Sequence, residues 1–269
     1  MTIAEVPVSS ANWPATTLSL CGSPFSYRKS GSGPALVVLP HETGYAPRTE
    51  FLDALALDFT VYAPWLPGFH GGHPAEWEWL TNVRDLVAIL RQAVDALGLD
   101  RPHVVGLGFG GWLAAEMAAM GGSSFGRLAL VSPMGIQPRA GFIHDQFLGS
   151  TESYCRLMFS DQSKFDAIYT PEPDFEQLES WETDREMTAR LAWKPYMYNP
   201  ALPGLMAGVS NPVLIVTGDD DRIVPAECAT RYEEAIPGAR LTVLPGAGHA
   251  VDLEQPTALA SAVASFLRA

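Results

Sequence analysis

Few side chains in this sequence have the type and spacing for proton chemistry, and they cluster in a handful of loops. His249 follows a Gly-Ala-Gly turn in LPGAGHAVDLEQP, read as a mobile, partly exposed loop imidazole. With an ordinary pKa near 6.5, such a ring changes protonation at working pH. GDDDRIVP holds three consecutive aspartates, 219–221, able to orient a base or to fold a turn. LPHETG sets His41 and Glu42 side by side after an apolar run, and Gly108 lies at the centre of the glycine-rich segment VVGLGFGGWLAAEMA. Those glycines lack the third-glycine spacing of a dinucleotide fingerprint, and no acidic residue follows a second strand at the right distance. His70 and His73 flank Gly71-Gly72 with no third ligand in view. Neither a metal nor any other cofactor is expected.

The elements that must position these residues alternate along the chain. Segments 24–30, 35–39, 59–63, 103–107, 128–131, 213–217 and 240–244 read as strands, several of them continuous apolar runs suited to a sheet buried on both faces. Between them, Val83, Leu86, Val87, Leu90, Val94 and Leu97 follow the spacing of one helical face, with Gly98 as a stop. Similar patterns occupy about 110–120, 226–235 and 256–268. Short strands alternating with helices imply parallel pairing and right-handed crossovers, hence a doubly wound α/β sheet. From about 136 to 210 no buried-strand run occurs. An insertion there would sit over the carboxyl ends of the strands, where ligands bind in open sheets.

Composition narrows the partners. The 269 residues carry a net charge of −13 and no Lys/Arg-rich run, so nucleic acid and membrane surfaces are not expected partners and a small-molecule substrate is. No apolar run reaches the roughly 20 residues that span a bilayer. MTIAEVPVSSANW has no basic and apolar leader pattern. Three widely spaced cysteines (Cys21, Cys155, Cys228) form no disulfide or zinc framework and suit a reducing compartment, so a cytoplasmic location is expected. No pattern indicates an oligomeric state.

Taken together, these segments resemble the α/β-hydrolase family. VVGLGFGGWLAAEMA is similar to its nucleophile elbow, a G-x-S-x-G turn between strand and helix, with Gly106 and Gly110 in place and Gly108 at the serine position. GDDDRIVP resembles the loop bearing the family's acid, which falls on Asp221, and LPGAGHAVDLEQP the loop presenting its histidine, His249. The order elbow, acid, histidine is the family's. APWLPGFHG and GSGPALVVLP resemble its strand-four segment and the entry to strand three; Glu42 stands where glycine is common. The resemblance covers residue 24 to the C-terminus. It implies an α/β-hydrolase fold with a core formed by 1–135 and 209–269 and a helical cap over 136–208. It also implies a His249–Asp221 dyad, oxyanion-hole amides from Phe109 and Glu42, and an apolar pocket with the dyad at its floor, where His41, Trp193 and Tyr196 meet substrate.

Glycine at 108 supplies no nucleophile. In an enzyme built on a serine there, its loss costs about 10⁶ in turnover, while glycine relaxes a strained turn and preserves the fold. Three readings remain open. The protein is an enzyme acting at a carbonyl of a small apolar substrate, by ester or C–C hydrolysis or by proton abstraction, with His249 as general base. Such assistance is typically worth about 10²–10⁴, and water would occupy the vacated side-chain space. Alternatively, it is a serine hydrolase inactivated by one Ser→Gly replacement, or a non-catalytic small-molecule binder. Glu42, a second departure, favours natural divergence over a single replacement.

Overall fold

The structure, a computed structural model, describes residues 13–269. The leader reading of the N-terminal stretch therefore lies, Trp13 apart, outside the described residues. Strands β1 (Ala15–Leu20), β2 (Ser23–Ser30), β3 (Ala35–Leu39), β4 (Thr60–Pro64), β5 (His103–Leu107), β6 (Leu128–Val131), β7 (Val213–Gly218) and β8 (Arg240–Leu244) form one sheet in the order β1-β2-β4-β3-β5-β6-β7-β8. β1 and β2 pair antiparallel with each other, and β2 with β4; every other pairing is parallel. The expected mostly parallel α/β sheet is observed.

The interior parallel strands β3, β5, β6 and β7 are buried because helices cover both faces, while β8 at the edge is partly exposed. Leu36, Val38, Val105, Leu107, Ala129 and Val131 point to one side, where they pack on α1 (Glu50–Ala56) and α10 (Pro256–Arg268) through Phe51, Leu55, Leu259 and Val263. Val37, Leu39, Val104, Leu128 and Leu130 point to the other, against α2 (Val83–Ala96) and α3 (Phe109–Gly121). Burying each such side chain is worth about 1.5–3 kcal/mol, so a one-residue slip in register would be strongly disfavoured. α2 begins at Asn82, whose side chain accepts the Asp85 amide, and ends before Gly98 at φ +64°.

Between β6 and β7 lie α4 (Thr151–Leu157), α5 (Gln162–Tyr169), α6 (Phe175–Ala192) and α7 (Leu202–Met206), with no strand of the sheet among them. α8 (Ala226–Ala235) and the short α9 (Val251–Glu254) complete the chain. β1 and α1 were not foreseen. β1 (ATTLSL) is an edge strand with most side chains in solvent, and α1 is only seven residues long.

Candidate active site

Strand register brings the reactive residues together. Leu39 of β3 lies opposite Gly106 of β5, so the chain leaving β3 at Pro40-His41-Glu42 runs beside the turn leaving β5 at Gly108. Gly218 of β7 lies opposite Leu244 of β8, so the loops bearing Asp221 and His249 also emerge together. All four loops open from the carboxyl ends of parallel strands.

The turn at Gly108 has φ +49°, ψ −111°, a conformation unfavourable for a residue with a Cβ. Its amide donates to Val131 O and its carbonyl accepts from the Trp112 and Met134 amides. Close approach also requires glycine at 110, where a Cβ would lie 2.5 Å from Pro40 O and 2.6 Å from Leu39 O. Asp221 is fixed by the amides of Ile223 and Val224 on Oδ1 (2.9 and 2.8 Å), leaving Oδ2 for His249 Nδ1 at 2.9 Å. Asp219 accepts the Gly246 amide and Asp220 pairs with Arg222, both holding turns.

The space expected to hold a water at Gly108 is taken by protein. A Cβ built on Gly108 would stand 2.6 Å from Glu42 Oε2, 2.6 Å from His41 Nδ1 and 2.9 Å from His249 Nε2. Glu42 therefore brings its carboxylate to the turn, and the Phe109 amide, expected to face substrate, points at Glu42 Oε2 (3.4 Å). Tyr154 OH of α4 donates to Glu42 Oε1 at 2.8 Å, and His249 Nε2 lies 3.6 Å from the same oxygen. His41 turns its Nε2 to Asp252 Oδ1 at 2.8 Å, and its ring sits 5.2 Å from that of His249.

Electrostatics follow from burial and pairing. Glu42 and His249 are both 0% exposed, so His249 is not the mobile loop imidazole expected. Burial opposes charge on His249, but Asp221 and Glu42 on either side outweigh it and raise its pKa to about 10. Burial likewise opposes ionisation of Glu42, yet the facing His249, with His41 and Glu42's own backbone amide, holds its carboxyl at about 2. The two face each other as carboxylate and imidazolium. Burial pushes the Tyr154 hydroxyl well above its usual range, with Glu42 adding to the effect, so it stays a donor.

The pocket expected above the dyad is closed. From α6, Thr188 Oγ1 bonds Glu42 O (3.4 Å), Asp184 accepts the His70 amide (2.7 Å) and Met187 packs on Gly68. A water-sized cavity of about 20 Å³ lies behind His41, between Thr43, Cys155, Met158, Trp181 and Asp252. A larger groove of about 390 Å³ runs between Trp112, Glu116, Leu191 and Tyr198, and its lining includes neither His249 nor Asp221. Trp193, expected to meet substrate, is half exposed and stacks edge-on with Phe147 and Tyr196. Tyr196 braces the loop before α4, its hydroxyl accepting the Gln146 amide and donating to His144 O. His73 Nε2 bonds Ser26 Oγ at 2.8 Å. Among the described residues, His41, Glu42 and His249 do bring ligand atoms within 4.8 Å of one another, close enough for a metal ion.

Asp252, Tyr154 and Asp184 were missed from sequence. Asp252 follows His249 by one turn's length in GHAVD, a signal that was present; the other two sit in the helical segment without a motif.

A parallel sheet with an elbow, an acid and a histidine at its strand ends defines an α/β-hydrolase fold. The chain belongs to the alpha/beta hydrolase family, whose model matches residues 36–262. It is 28% identical over 242 residues to the dihydrolipoyllysine-residue acetyltransferase component of an acetoin cleaving system from Cupriavidus necator, covering 85% of this chain and 62% of that protein's length. It is 25% identical over 261 residues to 2-hydroxy-6-oxononadienedioate/2-hydroxy-6-oxononatrienedioate hydrolase 1 of Dechloromonas aromatica, covering 90% and 89%. Its fold matches a meta-cleavage product hydrolase of Pseudomonas fluorescens with TM-score 0.75 and 22% identity, over 94% of this chain and 97% of that one. No described helix is long and apolar enough to cross a membrane.

Proposed function

We propose that this chain is an enzyme that adds water at a carbonyl of a small apolar substrate, an ester or a ketone cleaved at a C–C bond, without a serine nucleophile. The observation that carries the reading is the convergence of Glu42 Oε2 and His249 Nε2, 2.6 and 2.9 Å from the position a side chain at 108 would take. His249, oriented by Asp221, and Glu42 form a proton-relaying couple. One takes a proton from the attacking water, and the other returns it to the leaving group. Segment 136–208 acts as the cap and opens to admit substrate, which frees the Phe109 amide for the carbonyl oxygen. Glu42 filling the space of a serine side chain speaks against an ordinary serine hydrolase disabled by one replacement. The relatives named as hydrolases of 2-hydroxy-6-oxo acids support C–C hydrolysis as the first activity to test. Three free cysteines support a cytoplasmic location.

The sealing of His249 and Glu42 favours a second reading, a non-catalytic binder. Turnover of 2-hydroxy-6-oxo-dienoates and aryl esters by the parent, His249→Ala and Glu42→Gln separates the two. The enzyme reading expects turnover in the parent that falls at least about 100-fold in each variant, with no adduct from a fluorophosphonate. Equal rates in all three proteins would end it.

A further inference from the structure

Two buried histidines aim unpartnered nitrogens at one point. His41 Nδ1 lacks a hydrogen-bond partner and His249 Nε2 has none nearer than Glu42 Oε1 at 3.6 Å, although the residues are 3% and 0% exposed. Leaving such atoms unpaired costs about 1–3 kcal/mol each. In both rings the opposite nitrogen is held by a carboxylate, His41 Nε2 by Asp252 at 2.8 Å and His249 Nδ1 by Asp221 at 2.9 Å. A carboxylate on the far nitrogen fixes the tautomer and ring orientation that a metal-binding imidazole needs. Glu42 supplies an oxygen to the same point, its carboxylate steadied by Tyr154 OH and the Phe109 amide.

We infer that His41 Nδ1, Glu42 and His249 Nε2 are the ligands of a divalent first-row transition-metal ion, held between them beside the bare turn at Gly108. The three ligand atoms lie within 4.8 Å of one another. Metal–nitrogen and metal–oxygen bonds of about 2.0–2.2 Å set tetrahedral ligand atoms about 3.3–3.6 Å apart, so no pair has to draw in by more than about 1.5 Å. Two imidazoles and one carboxylate suit Zn²⁺, Fe²⁺, Mn²⁺ or Co²⁺ rather than Mg²⁺ or Ca²⁺, which prefer all-oxygen shells. Three protein ligands leave a coordination position for water or substrate. A dication also offsets the charge that Glu42, Asp221 and Asp252 bring into a sealed pocket. Gly108 is then required twice, because any Cβ would stand 2.6–2.9 Å from all three ligand atoms and crowd the site. The site goes beyond the reading above, since binding does not depend on which reaction follows. Were the ion bound, it would displace the Nε2 proton of His249 and hold Glu42 and His249 together, and its free coordination position would offer a place for the attacking water.

The test uses tag-free full chain stripped with a chelator and dialysed. Zn²⁺, Mn²⁺ and Co²⁺ are then titrated by calorimetry, with bound metal counted by elemental analysis and Co²⁺ followed by its visible absorption. One equivalent per chain is expected, with a rise in melting temperature. Glu42→Gln, nearly isosteric, and His41→Ala each weaken binding by more than about 100-fold, and Asp252→Asn, which touches no metal, by about 10–100-fold. His70→Ala and His73→Ala leave it unchanged. Less than a tenth of an equivalent in the parent overturns the site whatever the variants do. So does unchanged affinity in both Glu42→Gln and His41→Ala. Carbonyl turnover by the stripped protein leaves the hydrolytic reading standing, so the two fail separately.

Discussion

Restoring a serine at the elbow tests whether Glu42 owns that space. In Gly108→Ser the new Cβ would lie 2.6 Å from both Glu42 Oε2 and His41 Nδ1 and 2.9 Å from His249 Nε2, all inside the 3.0 Å that real Cβ atoms keep. Overpacking of this kind costs about 1–3 kcal/mol. The φ of +49° adds left-handed strain of about 1–2 kcal/mol. The sum is about 2–5 kcal/mol, which at about 2–4 °C per kcal/mol lowers the melting temperature by roughly 4–20 °C. Glu42→Ala in the same background removes one side of the clash. A double-mutant cycle should then show about 1–3 kcal/mol of favourable coupling between the two positions. Urea unfolding followed by tryptophan fluorescence measures all four proteins, and a fluorophosphonate probe reports whether the introduced hydroxyl is reactive. A Gly108→Ser protein within about 0.5 kcal/mol of the parent, labelled as readily as a serine hydrolase, would show that the carboxylate does not occupy the elbow.

Two further outcomes are expected. Tyr154→Phe removes the hydroxyl donor to Glu42 Oε1 at 2.8 Å and should cost about 1.5–3 kcal/mol, the range for a buried bond to a charged group, in urea unfolding at neutral pH. Asp184 is pushed well above its usual pKa, first by burial and then by Glu42, against the pull of the His70 amide. Its folded state therefore holds a proton that the unfolded chain releases, and it subtracts stability as pH rises above about 4. Asp184→Asn keeps an acceptor for His70. It should be more stable than the parent at pH 7, by about 1.4 kcal/mol per unit of elevation, with the gap shrinking toward pH 4 in a pH series of unfolding curves.

The interior strands were legible because runs such as ALVVL and VLIVT are apolar on both faces, as a sheet covered on both sides demands. β1 was not, because its alternation buries little, and α1 was not, because seven residues give too short a period to detect. His249 and Asp221 were found by their loops and do meet at 2.9 Å. Their burial could not be read, since it depends on α4 and α6 closing over them. Glu42 was placed at the right rim, with its amide and its carboxylate both open as the working group. Whether it offers its amide or its carboxylate depends on space at Gly108, 66 residues away in the chain. The aromatic cluster around Trp193 and Tyr196 read as a pocket wall; in the fold Trp193 stacks edge-on with Tyr196 and Phe147.

The mutual exclusion at the elbow also couples two positions far apart in the chain. A β-carbon at 108 would meet the Glu42 carboxylate near 2.6 Å, so the two fit together only if the flexible end of the glutamate swings aside. A hydroxyl returning at 108 therefore needs the carboxylate to vacate that space, by rotation or by replacement of Glu42.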